Sequence, residues 1–162
     1  MNTLPKFRYG GGRTMVNLHG QYMQEFLAVW KKAKTAEIDL PETDHPGYAS
    51  MEALLGHVLG AARSYMIWMT QKFELPDPKI EPIPSLEEIE AEADDYLAHL
   101  IQQWRTPLTE VEEGRFDEKE YKSNWGVLYC VDAMLEHAVM HPILHRVQLQ
   151  ELMEEDQKLK FG

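Results

Sequence analysis

His141 and His145 stand four residues apart in a long periodic stretch of the chain. On a helix this spacing puts both imidazoles on one face, roughly 6 Å apart along the axis, where their rotamers can converge on one ion. Neutral imidazole is a ligand for zinc, nickel, copper or iron, so the spacing does not choose among these metals. A third ligand must come from another helix, and His57 is the only histidine inside the strongly apolar second helical segment. A lone buried histidine is more often a hydrogen-bonded core residue than a ligand. Two unpaired imidazoles on an inward stripe would be costly, and the pair tips the balance toward a divalent metal held by His57, His141 and His145.

The other histidines carry less. His137 continues the row but drifts to its edge, and a rise of roughly 12 Å from His137 to His145 is too long for one ion to bridge, so it reads as a rim or supporting group. His19, His45 and His99 fall outside the inward pattern and are read as structural or surface residues. Pro142 lies between the paired histidines, where it removes the hydrogen bond to the Ala138 carbonyl. The expectation is a local distortion that aims His141 at the metal.

The helix carrying the pair is predicted from about Trp125 to Glu155, because Val127, Val131, Met134, Ala138, His141, His145, Leu149 and Leu152 follow one stripe. Three more helices are needed to surround it. Met15, Leu18, Tyr22, Phe26, Val29 and Ala33 predict the first, from about Thr14 to Ala36. Met51, Leu54, Val58, Ala62, Tyr65, Met69 and Phe73 predict the second, opened by Ser50 as N-cap. Leu55, Leu59, Ile67 and Trp68 lie off that stripe, which points to burial on two sides and would carry His57 inward from its flank. Prolines 76, 78, 82 and 84 impose an extended connection. A capping-box pattern, Ser85 with Glu88, then opens a third helix that runs until Pro107. Residues 109–122 show no clean period and are expected to be a loop. Gly10, Gly11 and Gly12 close an expected flexible arm over residues 1–13, leaving 14–162 as one helical domain.

Composition narrows the function classes. A formal net charge of -11 repels a phosphate backbone, which argues against nucleic acid. No stretch approaches the roughly 20 apolar residues of a membrane helix, and the first dozen residues lack the apolar core of a secretory signal, so no membrane role and a cytoplasmic location are expected. Cys130 is the sole cysteine, which removes intramolecular disulfides and thiolate-rich zinc sites. No Glu-x-x-His pair lies in a predicted helix, which argues against a carboxylate-bridged di-iron bundle.

The segment His137-Ala-Val-Met-His141-Pro-Ile-Leu-His145-Arg146-Val-Gln148 resembles the last-helix signature of the DinB/YfiT-like metal-binding bundle family, a His-x-x-x-His-Arg-x-Gln pattern with a histidine upstream. The helix order and the placement of His57 match as well. Val147 stands where the family often has glycine, and Pro142 is unusual beside a ligand. The resemblance implies an all-α, four-helix bundle of up-down-down-up topology with His57, His141 and His145 as a three-histidine site. It further implies transfer or isomerisation chemistry with a low-molecular-weight thiol, or hydrolysis.

Three protein ligands leave coordination positions open, as in catalytic zinc sites. The expectation is therefore an enzyme that uses zinc or nickel, with iron as a further option, to activate a thiol or water against a small electrophilic substrate. Thiol S-transfer leads, and no catalytic acid or base is singled out. Arg146 and Gln148 are expected to orient a ligand or brace the bundle, and Tyr22, Tyr65, Trp68 and Tyr129 to be core aromatics or pocket walls. The competing expectation is a metal-stabilised, dimerising stress-response bundle without turnover. A homodimer is expected under either reading.

Overall fold

A computed structural model describes residues 3–162. Four helices form the body: α1 (Gly10–Thr35), α2 (Met51–Lys72), α3 (Ile89–Trp104) and α4 (Val131–Phe161). The only extended pairing among the described residues is a hairpin of two-residue strands, β1 (Tyr121–Lys122) and β2 (Leu128–Tyr129), so the domain is all-helical in its packing. α1 lies mainly against α4, α4 also touches α2, and α2 touches α3. None of these helices is long and apolar enough to cross a membrane.

One apolar core joins all four. Phe26, Trp30, Leu54, Leu55, Leu59, Met66, Leu100, Trp104, Met134 and Ala138 are all fully buried within it. Leu55 and Leu59 lie off the main α2 stripe, so their burial shows α2 enclosed on two sides, as its all-round apolarity requires. Tryptophan carries a donor that must be satisfied when buried. Trp30 Nε1 donates to the Met51 carbonyl at 2.7 Å and Trp104 Nε1 to the Ala62 carbonyl at 3.2 Å. These bonds tie α1 and α3 to α2. Ser50 caps α2 by accepting from the Ala53 amide at 3.0 Å.

The proline-rich connection is extended but firmly held. Arg63 Nε donates to the carbonyls of Ile80 and Glu81, the Tyr96 hydroxyl donates to the Glu81 carbonyl, and His99 Nε2 accepts from the Glu81 amide. Side chains of α2 and α3 thus supply the partners that prolines deny the segment's own backbone. Ser85 Oγ reaches Glu88 at 3.0 Å, and the regular part of α3 starts one residue later.

Three features differ from expectation. Gly10, Gly11 and Gly12 form the first turn of α1 rather than the end of an arm. The cause is close approach: the Tyr9 ring folds over this turn so that its hydroxyl reaches Asp132 at 3.1 Å, and a Cβ on Gly11 would lie 2.6 Å from that ring. Residues 3–9 are also anchored, with Phe7 buried and Arg13 donating to the Leu4 and Pro5 carbonyls; Met1 and Asn2 lie outside the described residues. α4 starts at Val131, not Trp125, because Gly126 sits at φ +89° in the turn of the hairpin. Val127 is therefore half-exposed on the hairpin instead of opening the α4 stripe.

His19 is the third difference. It is buried and stacks on Trp104, with ring centroids 3.7 Å apart and an 11° interplanar angle, while its Nε2 has no partner among the described residues. Burial lowers its pKa from 6.5 to about 3. Between those values the unfolded chain binds a proton that the folded chain refuses, so stability present above pH 6.5 is lost as pH falls toward 3. His19→Phe keeps the stack and removes the titration. Denaturant unfolding between pH 7 and 5 should show the variant losing less stability than the wild type, by about 1 kcal/mol per pH unit; parallel pH profiles would contradict this.

Candidate metal centre

The site is assembled where α2 passes α4. His141 Nε2 lies 3.1 Å from His57 Nε2 and 3.3 Å from His145 Nε2. All three nitrogens fall within 4.8 Å of one another. The α4 pair meets because i and i+4 share a face. α4 remains one helix through Pro142, and His141 points inward at 8% exposure.

Tautomer arithmetic makes this cluster unusual. His145 Nδ1 lies 2.9 Å from the Gln148 side-chain oxygen, an acceptor only, so Nδ1 carries the hydrogen and Nε2 presents a lone pair to the cluster. The Tyr48 hydroxyl donates to the same Gln148 oxygen and lies 3.1 Å from His145 Nδ1, which fixes the arrangement from a second side. His141 Nε2 either accepts or donates once. If it accepts from His57, it faces the His145 lone pair with its own already used. If it donates, one hydrogen serves three nitrogens. A cation placed among them resolves the excess of lone pairs. Ideal tetrahedral zinc with nitrogen ligands at 2.0–2.1 Å sets its nitrogens about 3.3 Å apart, close to two of the three spacings here.

The electrostatics favour ligation. Burial first, then the neighbouring histidines, lowers the pKa of His141 to about 3; burial and His57 lower that of His145 to about 4. Burial and His45 also lower that of His57. All three are neutral at pH 7, so no proton competes strongly for their lone pairs.

Several surrounding residues find definite places. His137 lies outside the trio in an aromatic group, 5.1 Å from the Trp125 ring, 5.4 Å from Tyr65 and 5.6 Å from Tyr129. Tyr65 sets its ring 5.9 Å from His141. Trp68 instead donates to the Lys122 carbonyl and holds the hairpin. Arg146 pairs with Glu25 and lies over the Tyr22 ring, bracing α4 on α1. Glu52 pairs with Lys34. Among the described residues no carboxylate hydrogen-bonds to the trio.

His45, Gly47 and Tyr48 were not read from the sequence as parts of a site. They form a short 3-10 turn, Pro46–Tyr48 with His45 as its cap, laid over His57. The rings of His45 and His57 are 5.0 Å apart, and His45 Nδ1 accepts from the Gly47 amide. A Cβ on Gly47 would sit 3.0 Å from both rings, so any other residue there would push one of the two imidazoles aside. No protein-family model, curated protein or solved structure matches the chain.

If Gln148 fixes the His145 tautomer, Gln148→Leu should weaken metal binding by about 10–100-fold, as loss of a ligand's supporting partner does elsewhere. Competition with a chromophoric chelator measures this, and an unchanged affinity would remove Gln148 from the site.

Proposed function

We propose that the chain is a metal-dependent enzyme of DinB-like kind, an up-down-down-up bundle in which His57, His141 and His145 hold one zinc, nickel or iron ion. The observation that carries this reading is the meeting of three neutral imidazole nitrogens, one with its tautomer set by Gln148 and Tyr48. The motif from His137 to Gln148 supports the family assignment. A divalent ion with only neutral ligands keeps its charge, and so lowers the pKa of a bound thiol or water and supplies a nucleophile at neutral pH.

The chain's own residues do the positioning. Gln148 and Tyr48 keep the His145 lone pair directed at the trio, and the turn carrying His45 shields His57. Burial holds the Tyr65 hydroxyl above its usual pKa, so it stays protonated, with its ring 5.9 Å from that of His141. The reaction we favour is transfer of a low-molecular-weight thiol to a small electrophile, with hydrolysis as the variant in which water takes the thiol's place. A cytoplasmic homodimer completes the proposal, and the exposed row Met140, Leu144 and Val147 on α4 supports self-association.

The second reading, a metal-stabilised bundle without turnover, is favoured by one observation: among the described residues no carboxylate hydrogen-bonds to the trio to serve as general base. Metal analysis of protein purified without an affinity tag should find one ion per chain, lost in His145→Ala and His57→Ala. Metal-loaded protein incubated with thiols and electrophiles should consume both together. Metal uptake that survives His145→Ala would refute the shared site, whereas tight uptake with no consumption would leave the non-catalytic bundle.

A further inference from the structure

A groove of about 570 Å³ opens beside His57 and runs along α2 to Arg63 and Ser64. Its floor is Gly60 and Ala61, one wall is Ile83 of the proline-rich connection, and the other is Tyr65 with Trp125 from the hairpin turn. The volume lies within the range of small-molecule sites. Its walls are largely apolar, and Trp125 leaves 47% of its surface exposed there although its ring could be covered. Arg63 is the single formally charged side chain lining it. Arg63 uses Nε to hold the Ile80 and Glu81 carbonyls, while its two terminal nitrogens have no partner among the described residues.

We propose that this groove binds a small, flat, apolar carboxylate, with its ring system between Ile83 and Trp125 and its anionic group at Arg63. Arg63 stands six positions after His57 on α2, a rise of about 9 Å along the helix. A molecule of that span places its uncharged end at His57. That this molecule is the electrophilic substrate rests on the metal-enzyme reading; that the groove binds it does not. Local charge supports the choice: Arg63 is the one formally charged group lining the groove, and its guanidinium prefers a carboxylate to a neutral analogue, against the general repulsion of a chain of net charge -11.

The probes are 2-naphthoate and its neutral analogue 2-naphthamide, titrated by calorimetry into metal-free and metal-loaded protein, with the Trp125 indole signal followed by NMR. In metal-free protein naphthoate should bind about tenfold more tightly than the amide, as a charge-assisted hydrogen bond provides. Arg63→Gln should abolish that preference and Arg63→Lys restore most of it, which separates anion recognition from the arginine's grip on the connection. Gly60→Leu should weaken both probes by about tenfold or more; a Cβ there meets only Ile83, at 3.6 Å, so the helix tolerates it. Equal affinity for the two probes, or none, overturns the proposal. Naphthoate binding that needs metal and ignores Arg63 and Gly60 also overturns it, yet leaves the metal reading standing. Binding sensitive to both positions in protein that takes up no metal upholds the groove and ends the metal reading.

Discussion

Lone-pair repulsion among the three clustered histidines, two buried and one half-buried, is the constraint around which the α2–α4 contact is organised. Imidazole nitrogens at 3.1 and 3.3 Å cannot all be satisfied by one another's hydrogens. Core packing alone would place apolar groups at such a point, since an unsatisfied buried polar atom costs about 1–3 kcal/mol. The surrounding residues hold the rings in place: Gln148 and Tyr48 lock one, Tyr65 stands against another, and the His45 turn covers the third. Rigid support of this kind is what a ligand set needs, because a nitrogen must be held to a fraction of an ångström.

That support comes from unequal helices. α4 carries two of the three histidines and the glutamine that sets the tautomer of His145 within eight residues, so its local geometry is set by helix periodicity. His57 depends on packing instead. It reaches the trio only because α2 is buried between two neighbours, with Leu55 and Leu59 filling the side away from α4's main contact stripe. Trp30 and Trp104 fix α2 along its length through bonds to its carbonyls. The indoles are distant in sequence from the histidines, yet they set the frame in which the trio meets.

The sequence disclosed what periodicity encodes and little else. Helical spacing placed His141 and His145 inward, and the surplus apolar residues of the second helix foretold its double burial. The contribution of Tyr48 was hidden, since it meets Gln148 across 100 residues and no local pattern marks such a contact. Gly11 misled, because its flexibility in isolation said nothing of the Tyr9 ring that needs its missing side chain. Trp125 misled in the opposite way. Its apolarity suited the fourth helix, but Gly126 at positive φ turns the chain there, and the indole faces the groove beside α2. His19 fell off the stripe read from Met15, Leu18 and Tyr22, but the buried face of α1 runs through Val16, His19, Met23 and Phe26, and there Trp104 of α3 stacks on it.

The same hairpin links fold to chemistry. Had α4 begun at Trp125, as its apolar stripe suggested, that indole would be one more core residue and the flank of α2 would lie open from His57 to Ser64. The turn at Ser123–Gly126 instead returns the chain across this flank, held by the Ser123 amide on the Val127 carbonyl at 2.7 Å and by Trp68 on the Lys122 carbonyl. A cluster of imidazoles becomes useful to an outside molecule only if a shaped surface leads to it. Here a short pairing of two-residue strands builds one wall of that surface, and the connection pinned by Arg63 builds the other. The irregular segments, not the helices, decide what can approach the three imidazoles.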